Sequence, residues 1–267
     1  MEQAALTALG SLAVGVVGGA FGVGGGIFLV PLLVWLGHRP VEAVGVSLFC
    51  VIGTSVGASS VALRSGEANL SLSLLLEPFL LLGAVGAGLV AARVGDATLL
   101  YAFAAMLVLI ALATARPARG AASGVAPTQG PGLFDGASGG VAYRPQRLAA
   151  LPPVMLGAGV TAGLFGIGGG AVVVPLLALV ARVPMRAAAA TSTVSLMVTA
   201  GAAGAVHLAH NTVPLDAVGW ALLGVIPGGL LGARLQSRLP DGVLRGAFAL
   251  LALAVAASVA LRARGLS

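Results

Sequence analysis

Apolar residues in this chain run in long blocks, neither alternating nor confined to one helical stripe. The blocks extend from about Ala4 to Leu36, Val41 to Leu63, Leu70 to Ala92 and Ala97 to Ala115, then from Leu148 to Val180, Ala187 to Leu208, Val213 to Ala233 and Gly242 to Leu261. A bilayer core about 30 Å thick is crossed by about 20 apolar residues in a helix. Lipid offers no partner to open backbone groups, so such blocks predict helices. The expected fold is an all-α integral membrane protein of about eight blocks. Between the two sets of four lies a polar stretch, Arg116 to Arg147, rich in Gly, Pro and Arg, which predicts a loop or linker.

The pattern repeats. Gly19-Ala20-Phe21-Gly22-Val23-Gly24-Gly25-Gly26 precedes four apolar residues and Pro31-Leu32-Leu33, and Gly163-Leu164-Phe165-Gly166-Ile167-Gly168-Gly169-Gly170 precedes four apolar residues and Pro175-Leu176-Leu177. The offset is 144 residues, and Pro40 and Pro184 keep it. Gly88 to Arg93 matches Gly229 to Arg234 in the same order. The chain thus divides into a first membrane repeat, 1–115, a linker, 116–147, and a second membrane repeat, 148–267. The first block of each repeat is about 33 residues, which would make a helix about 50 Å long. Three consecutive Gly near its middle each cost about 1 kcal/mol relative to Ala in a helix, so each block is expected to break there. Broken helices at matching positions of two halves point to a transporter binding site.

Composition reinforces the membrane reading and removes other classes. Hydrophobic residues are 58% of the chain and charged residues 8%, against about 25% charged in a soluble domain. Mean hydropathy is +1.07. All 14 basic residues other than His are Arg, and without Lys there is no P-loop and no Schiff-base amine. The single Cys50 and the scattered His38, His207 and His210 make no metal set and no HExxH motif. No cofactor, metal or enzymatic role is expected, because no nucleophile–base pair or paired carboxylates occur in the blocks. The net charge of +6 is spread between apolar blocks, which does not suggest nucleic acid. The start, Met1-Glu2-Gln3, lacks a basic region and does not read as a cleaved signal peptide.

At the doubled Gly motif and at Pro184-Met185-Arg186-Ala187-Ala188-Ala189-Ala190-Thr191-Ser192, the chain resembles the sulfite exporter TauE/SafE family of bacterial membrane transporters. The resemblance spans about residues 8 to 260. It implies movement of a small sulfur-containing anion, such as sulfite, a sulfonate or sulfoacetate, across a bacterial inner membrane. It also implies coupling to an ion gradient, of protons or sodium. A passive anion channel of the same fold and a non-transporting accessory protein are the alternatives. One departure is that repeat one carries Val46-Ser47 where repeat two carries Thr191-Ser192.

Candidate chemistry follows from what such an anion needs. A Gly-rich break exposes successive N–H groups, and the helix after it adds a partial positive charge of about +0.5. Gly22, Gly24, Gly25 and Gly26, with Gly166, Gly168, Gly169 and Gly170, are therefore candidate anion-binding residues. Helix packing is the competing reading. It suits Gly15/Gly19, Gly53/Gly57, Gly159/Gly163 and Gly224/Gly228/Gly232, whose spacing is that of helix contacts. Ser47, Thr191 and Ser192 are candidate hydroxyl donors, with Thr193 and Ser195 nearby. Such hydroxyls also bond their own helix. Glu77 is a carboxylate inside a predicted span. A charge at mid-membrane costs about 3 kcal/mol on insertion scales, so Glu77 is either a coupling group or an interfacial residue. Cys50 reads as a small hydrophobe. Trp35, Trp220, His207 and His210 read as interfacial.

The Arg residues bear on topology. With four simple crossings per repeat they divide evenly between the faces. If each broken block returns its chain to the side it came from, the second repeat inverts. Arg64, Arg116, Arg119, Arg144, Arg147, Arg182, Arg186, Arg234, Arg238 and Arg245 then share one face, against four on the other. The positive-inside rule favours that arrangement, with the linker cytoplasmic.

Overall fold

The computed structural model describes residues 2–21, 24–115, 133–138, 141–236 and 241–265. Repeat one forms α1 (Glu2–Phe21), α2 (Gly26–Trp35), α3 (Pro40–Arg64), α4 (Leu70–Ala91) and α5 (Asp96–Ala115). Repeat two forms α6 (Leu151–Phe165), α7 (Gly170–Val180), α8 (Met185–Ala209), α9 (Leu215–Gln236) and α10 (Asp241–Arg264). Starts follow local chemistry. Pro40 opens α3 and Pro184 precedes α8, where a missing N–H costs nothing. The side chain of Asn69 caps α4 by accepting from Leu72 N at 2.9 Å. Five of the described helices are long and apolar enough to cross a membrane. Leu74, Leu82, Leu109 and Leu250 are each at least 66% exposed, a surface suited to lipid rather than water.

Both first blocks break as the Gly runs predict, and the chain then doubles back. Gly10 of α1 lies against Leu32 of α2, and Gly18 against Gly25. In repeat two, Gly169 lies against Ala162 and the carbonyl of Ala158, and Gln146 N donates to Ala181 O at 2.9 Å, tying the end of α7 to the segment before α6. Each break is thus the tip of a hairpin. The first arms are longer than half-helices, 20 residues in α1 and 15 in α6, while the return arms hold 10 and 11.

Two tight helix pairs hold the hairpins. α1 runs parallel to α9, with Gly224 meeting Ala8, Gly228 meeting Leu12 and Gly232 meeting Val16. α6 runs parallel to α4, with Gly159 meeting Leu80 and Gly163 meeting Ala84. At these positions backbone touches backbone, so any Cβ would collide with a carbonyl of the partner helix. The packing role read for Gly15/Gly19, Gly159/Gly163 and Gly224/Gly228/Gly232 is what the structure shows. Gly53 faces the Leu222 side chain. α5 packs against α10, and α3 against α8. The last two run antiparallel, since Ser59 donates to Thr193 O at 2.9 Å while Gly204 lies against Phe49.

One end of the bundle gathers Trp35 under Arg262, at 5.7 Å, and Arg39 beside Asp96, at 3.5 Å. The other carries Asn69 and, within the stretch expected to be a loop, a short β-hairpin. Gly136–Ser138 and Val141–Tyr143 pair as an antiparallel hairpin, with Ala137 opposite Ala142. Asp135 and Arg144 clamp its base at 2.9 Å, and Tyr143 is buried among Leu72, Leu76 and Leu151. The linker segment 116–132 lies outside the described residues.

Candidate functional site

The two breaks cross at the middle of the α3–α8 pair. A Cβ on Gly168 would overlap Val51 and press on Leu196, both mid-helix residues. Gly26 and Gly166 touch through backbone, and Ser47 of α3 joins them, donating to Gly166 O at 2.7 Å and facing Gly26 O at 3.4 Å. Thr54, one helical face further along α3, lies 3.3 Å from Gly24 O. Ser47 therefore meets both breaks.

Backbone conformation explains why these positions are Gly. Gly24 and Gly25 have φ of 73° and 79°, and Gly166, Gly168 and Gly169 have φ of 67°, 68° and 83°. This left-handed region costs other residues about 1–2 kcal/mol each. The turns leave donors over. Among the described residues, the N–H groups of Ile167, Gly168, Gly169, Gly170 and Ala171 donate to no acceptor, because α7 begins its own bonding at Gly169 O, which accepts from Val172 and Val173. In repeat one Gly25 O likewise accepts from Phe28 and Leu29. Each break thus ends in the positive end of a helix of 10 or 11 residues. The crossing is asymmetric. Residues Gly166 to Gly170 are buried and a Cβ on Gly168 would overlap Val51, whereas Gly24 is half-buried and a Cβ there would make ordinary contact with Thr54 Oγ1 at 3.6 Å and Val51 at 3.9 Å. Gly22 lies outside the described residues.

The other candidates are distributed differently. Thr191 Oγ1 accepts from Asn69 N at 3.0 Å at the start of α4, away from the breaks. Ser192 is buried and its hydroxyl has no partner among the described residues. Thr193 bonds its own helix, to Ala189 O and Ala190 O. Glu77 is half-buried inside α4, where Thr199 donates to its Oε1 at 2.8 Å while Oε2 is buried without a partner. His207, in the last turn of α8, is 1% exposed and its ring bridges Gly163 O and Thr212 Oγ1 at 3.1 and 3.2 Å, pinning the end of α8 to α6. His210, Trp35 and Trp220 are exposed near helix ends. Cys50 is buried in the apolar core.

Sequence reasoning missed Thr54, Asn69, Ser73 and Thr199. The last three carry a readable signal. Asn69, Ser73 and Glu77 recur every four residues on α4, and Thr191, Ser195 and Thr199 recur every four on α8. Each meets its counterpart at one spacing: Asn69 N to Thr191, Ser73 to Ser195 at 2.8 Å, and Glu77 to Thr199. Among the described residues no group of His, Cys, Asp and Glu is arranged to hold a metal ion.

Comparison with known proteins agrees with this architecture. The family model described as "Sulfite exporter TauE/SafE" matches residues 7–259. The chain is 27% identical over 253 residues to a protein of Bacillus subtilis named probable membrane transporter protein YunE, covering 88% of this chain and 87% of that one. It is 36% identical over 121 residues to the probable membrane transporter protein MamO of Magnetospirillum gryphiswaldense, covering 42% of this chain and 18% of that longer one. No solved structure matches. With the match running through both Gly breaks and every helix of both repeats, the chain belongs to the TauE/SafE sulfite exporter family, a multi-pass membrane transporter.

Proposed function

We propose that the protein is a secondary transporter, in the export direction, of a small sulfur-containing anion such as sulfite, a sulfonate or sulfoacetate, and that the anion is held where the two Gly breaks cross. The observation that carries this reading is the run of N–H groups from Ile167 to Ala171 without partners among the described residues, beside the contact of Gly26 with Gly166 and Ile167. A sulfur oxyanion needs several donors on one side and no fixed countercharge. Backbone N–H groups at two helix starts supply that without a Lys. Gly24, half-buried beside Thr54, makes break one the first docking surface; Val51 and Leu196 must move for the buried break two to contribute fully.

The antiparallel α3–α8 pair and the hairpin form of both breaks support inverted repeats. Each repeat then crosses the membrane three times after its re-entrant hairpin, and the second starts from the opposite face. Arg64, Arg144, Arg147, Arg182, Arg186, Arg234 and Arg245 stand toward the end that carries the β-hairpin, against Arg39, Arg93, Arg262 and Arg264 at the other. By the positive-inside rule the β-hairpin end is cytoplasmic, in the inner membrane of a bacterium. Glu77 is the coupling group. A carboxylate at this depth with one oxygen unpartnered is costly, so it carries a proton that it exchanges as the transporter cycles.

Sulfite efflux from proteoliposomes, with and without an imposed proton gradient, tests the reading. Gradient-stimulated efflux that Gly24→Ala suppresses is the expected result. Flux indifferent to the gradient makes the protein a passive channel, and no sulfite flux with intact protein rejects the substrate class.

A further inference from the structure

We infer that the Ser192 hydroxyl is a ligand-binding donor, joining the N–H groups at the start of α7 in holding the anion at break two. This rests on the anion site proposed above and assigns a side chain to it. α3 and α8 are both 25 residues long, and Ser47 and Ser192 are each the eighth residue of their helix. Each helix follows the return arm of its repeat, α2 or α7, and packs on it. The two positions are therefore equivalent, and Ser47 shows where such a side chain reaches. Its hydroxyl lies 3.2 Å from where a Cβ on Gly26, the first residue of α2, would stand. It donates to Gly166 O at 2.7 Å and lies 3.4 Å from Gly26 O. The residue equivalent to Gly26 is Gly170, which begins α7. α8 does face Gly170. Leu196, one turn after Ser192, would meet a Cβ there at 2.6 Å and one on Gly168 at 3.0 Å.

Two hydroxyls at equivalent positions thus have opposite fates. Ser47 is spent on carbonyl oxygens, whereas Ser192 is 1% exposed and its Oγ has no partner among the described residues. Other hydroxyls in these helices show the ordinary outcome. Thr54, Thr161, Thr193 and Ser258 each donate to a carbonyl of their own preceding turn. Ser192 makes no such bond, and a buried hydroxyl without any bond is costly. Ser11 and Ser55 are also buried without partners. Ser192 differs from them because its counterpart places it beside the start of a helix. That surrounding lacks acceptors, not donors, since the N–H groups from Ile167 to Ala171 have no partner among the described residues. An anion with at least two oxygens satisfies both kinds of donor, with one oxygen on the α7 amides and another on Ser192 Oγ. Thr191, the neighbouring hydroxyl, is engaged elsewhere, accepting from Asn69 N at 3.0 Å. The side-chain donor of the site is therefore on repeat two only.

The test is titration calorimetry with sulfite on the full-length protein in detergent, beside melting curves without ligand. Ser192→Ala removes a hydroxyl that bonds nothing in the protein, so its unliganded melting temperature should equal or exceed that of wild type. Its sulfite affinity should fall about tenfold or more, the effect of losing one hydrogen bond to a charged group. Thr191→Ala should do the reverse, melting earlier and keeping its affinity. Wild-type affinity in Ser192→Ala, with Gly24→Ala impaired, rejects the Ser192 role and leaves the site at the breaks standing. Earlier melting of unliganded Ser192→Ala with unchanged affinity makes Ser192 a structural hydroxyl and also rejects the role. Absence of sulfite binding by wild type rejects both the role and the site it rests on.

Discussion

Gly168 and Gly24 occupy equivalent places yet should respond differently to the same change. At Gly168 a methyl group adds left-handed strain of about 1–2 kcal/mol to an overlap with Val51. Gly168→Ala should therefore lower the melting temperature in detergent clearly. At Gly24 the added Cβ meets only Thr54 at 3.6 Å and Val51 at 3.9 Å. Gly24→Ala carries the same left-handed strain without the overlap, so it should cost less stability than Gly168→Ala and weaken sulfite binding, which calorimetry on the purified protein would read. Ser47→Ala removes the donor shared by Gly166 O and Gly26 O. A buried carbonyl left unpartnered costs about 1–3 kcal/mol, so this variant should melt earlier even without ligand. Equal stability of Ser47→Ala and wild type would show that the breaks do not depend on that link. At this scale the Gly runs, Ser47 and the intramembrane Glu77 were legible because each is anomalous in an apolar block. Thr54 was not. A hydroxyl in a membrane helix is ambiguous until the neighbouring helix is placed, and Thr193 shows the ordinary outcome by bonding its own turn.

Among the elements, the parallel pairs α1–α9 and α4–α6 bear the tightest contacts. A Cβ at Gly228 would meet the carbonyl of Leu12, and one at Gly83 the carbonyl of Leu156. Gly228→Ala should force α1 from α9 and reduce thermal stability more than it reduces sulfite affinity in the protein that stays folded. A larger effect on affinity than on stability would move the site toward that interface. The small-xxx-small spacing made these contacts readable before any partner was known, because only close backbone approach needs it. The break in each long block was readable for a similar reason. The reversal of direction after it was not written in the Gly residues; the Arg distribution suggested it, and the Gly10–Leu32 and Gln146–Ala181 contacts show it. The β-hairpin was illegible. Its strands are Gly136-Ala137-Ser138 and Val141-Ala142-Tyr143, too short and too poor in β-formers to signal pairing. The Asp135–Arg144 clamp and the burial of Tyr143 hold it in place.

For the whole molecule, inverted topology makes a direct expectation. On a Cys50→Ala background, Ser65→Cys lies at the β-hairpin end and His210→Cys at the other, both exposed. A membrane-impermeant thiol reagent added to intact cells should label the second and not the first. Labelling of both, or of Ser65→Cys alone, would reverse or remove the assignment. The two-repeat plan and the membrane class were legible in the sequence, because a 144-residue offset and continuous hydropathy survive without any knowledge of contacts. The crossing of the two breaks was only implied, since it depends on how α3 and α8 cross. An anion bound where the breaks cross can be seen directly. Crystals of the protein soaked with selenite, a sulfur-oxyanion analogue with an anomalous scatterer, should show a selenium peak within hydrogen-bond reach of the N–H groups at Gly24–Ile27 or Ile167–Ala171. A selenium peak held by Arg side chains at the bundle ends, with both breaks empty, would contradict the account.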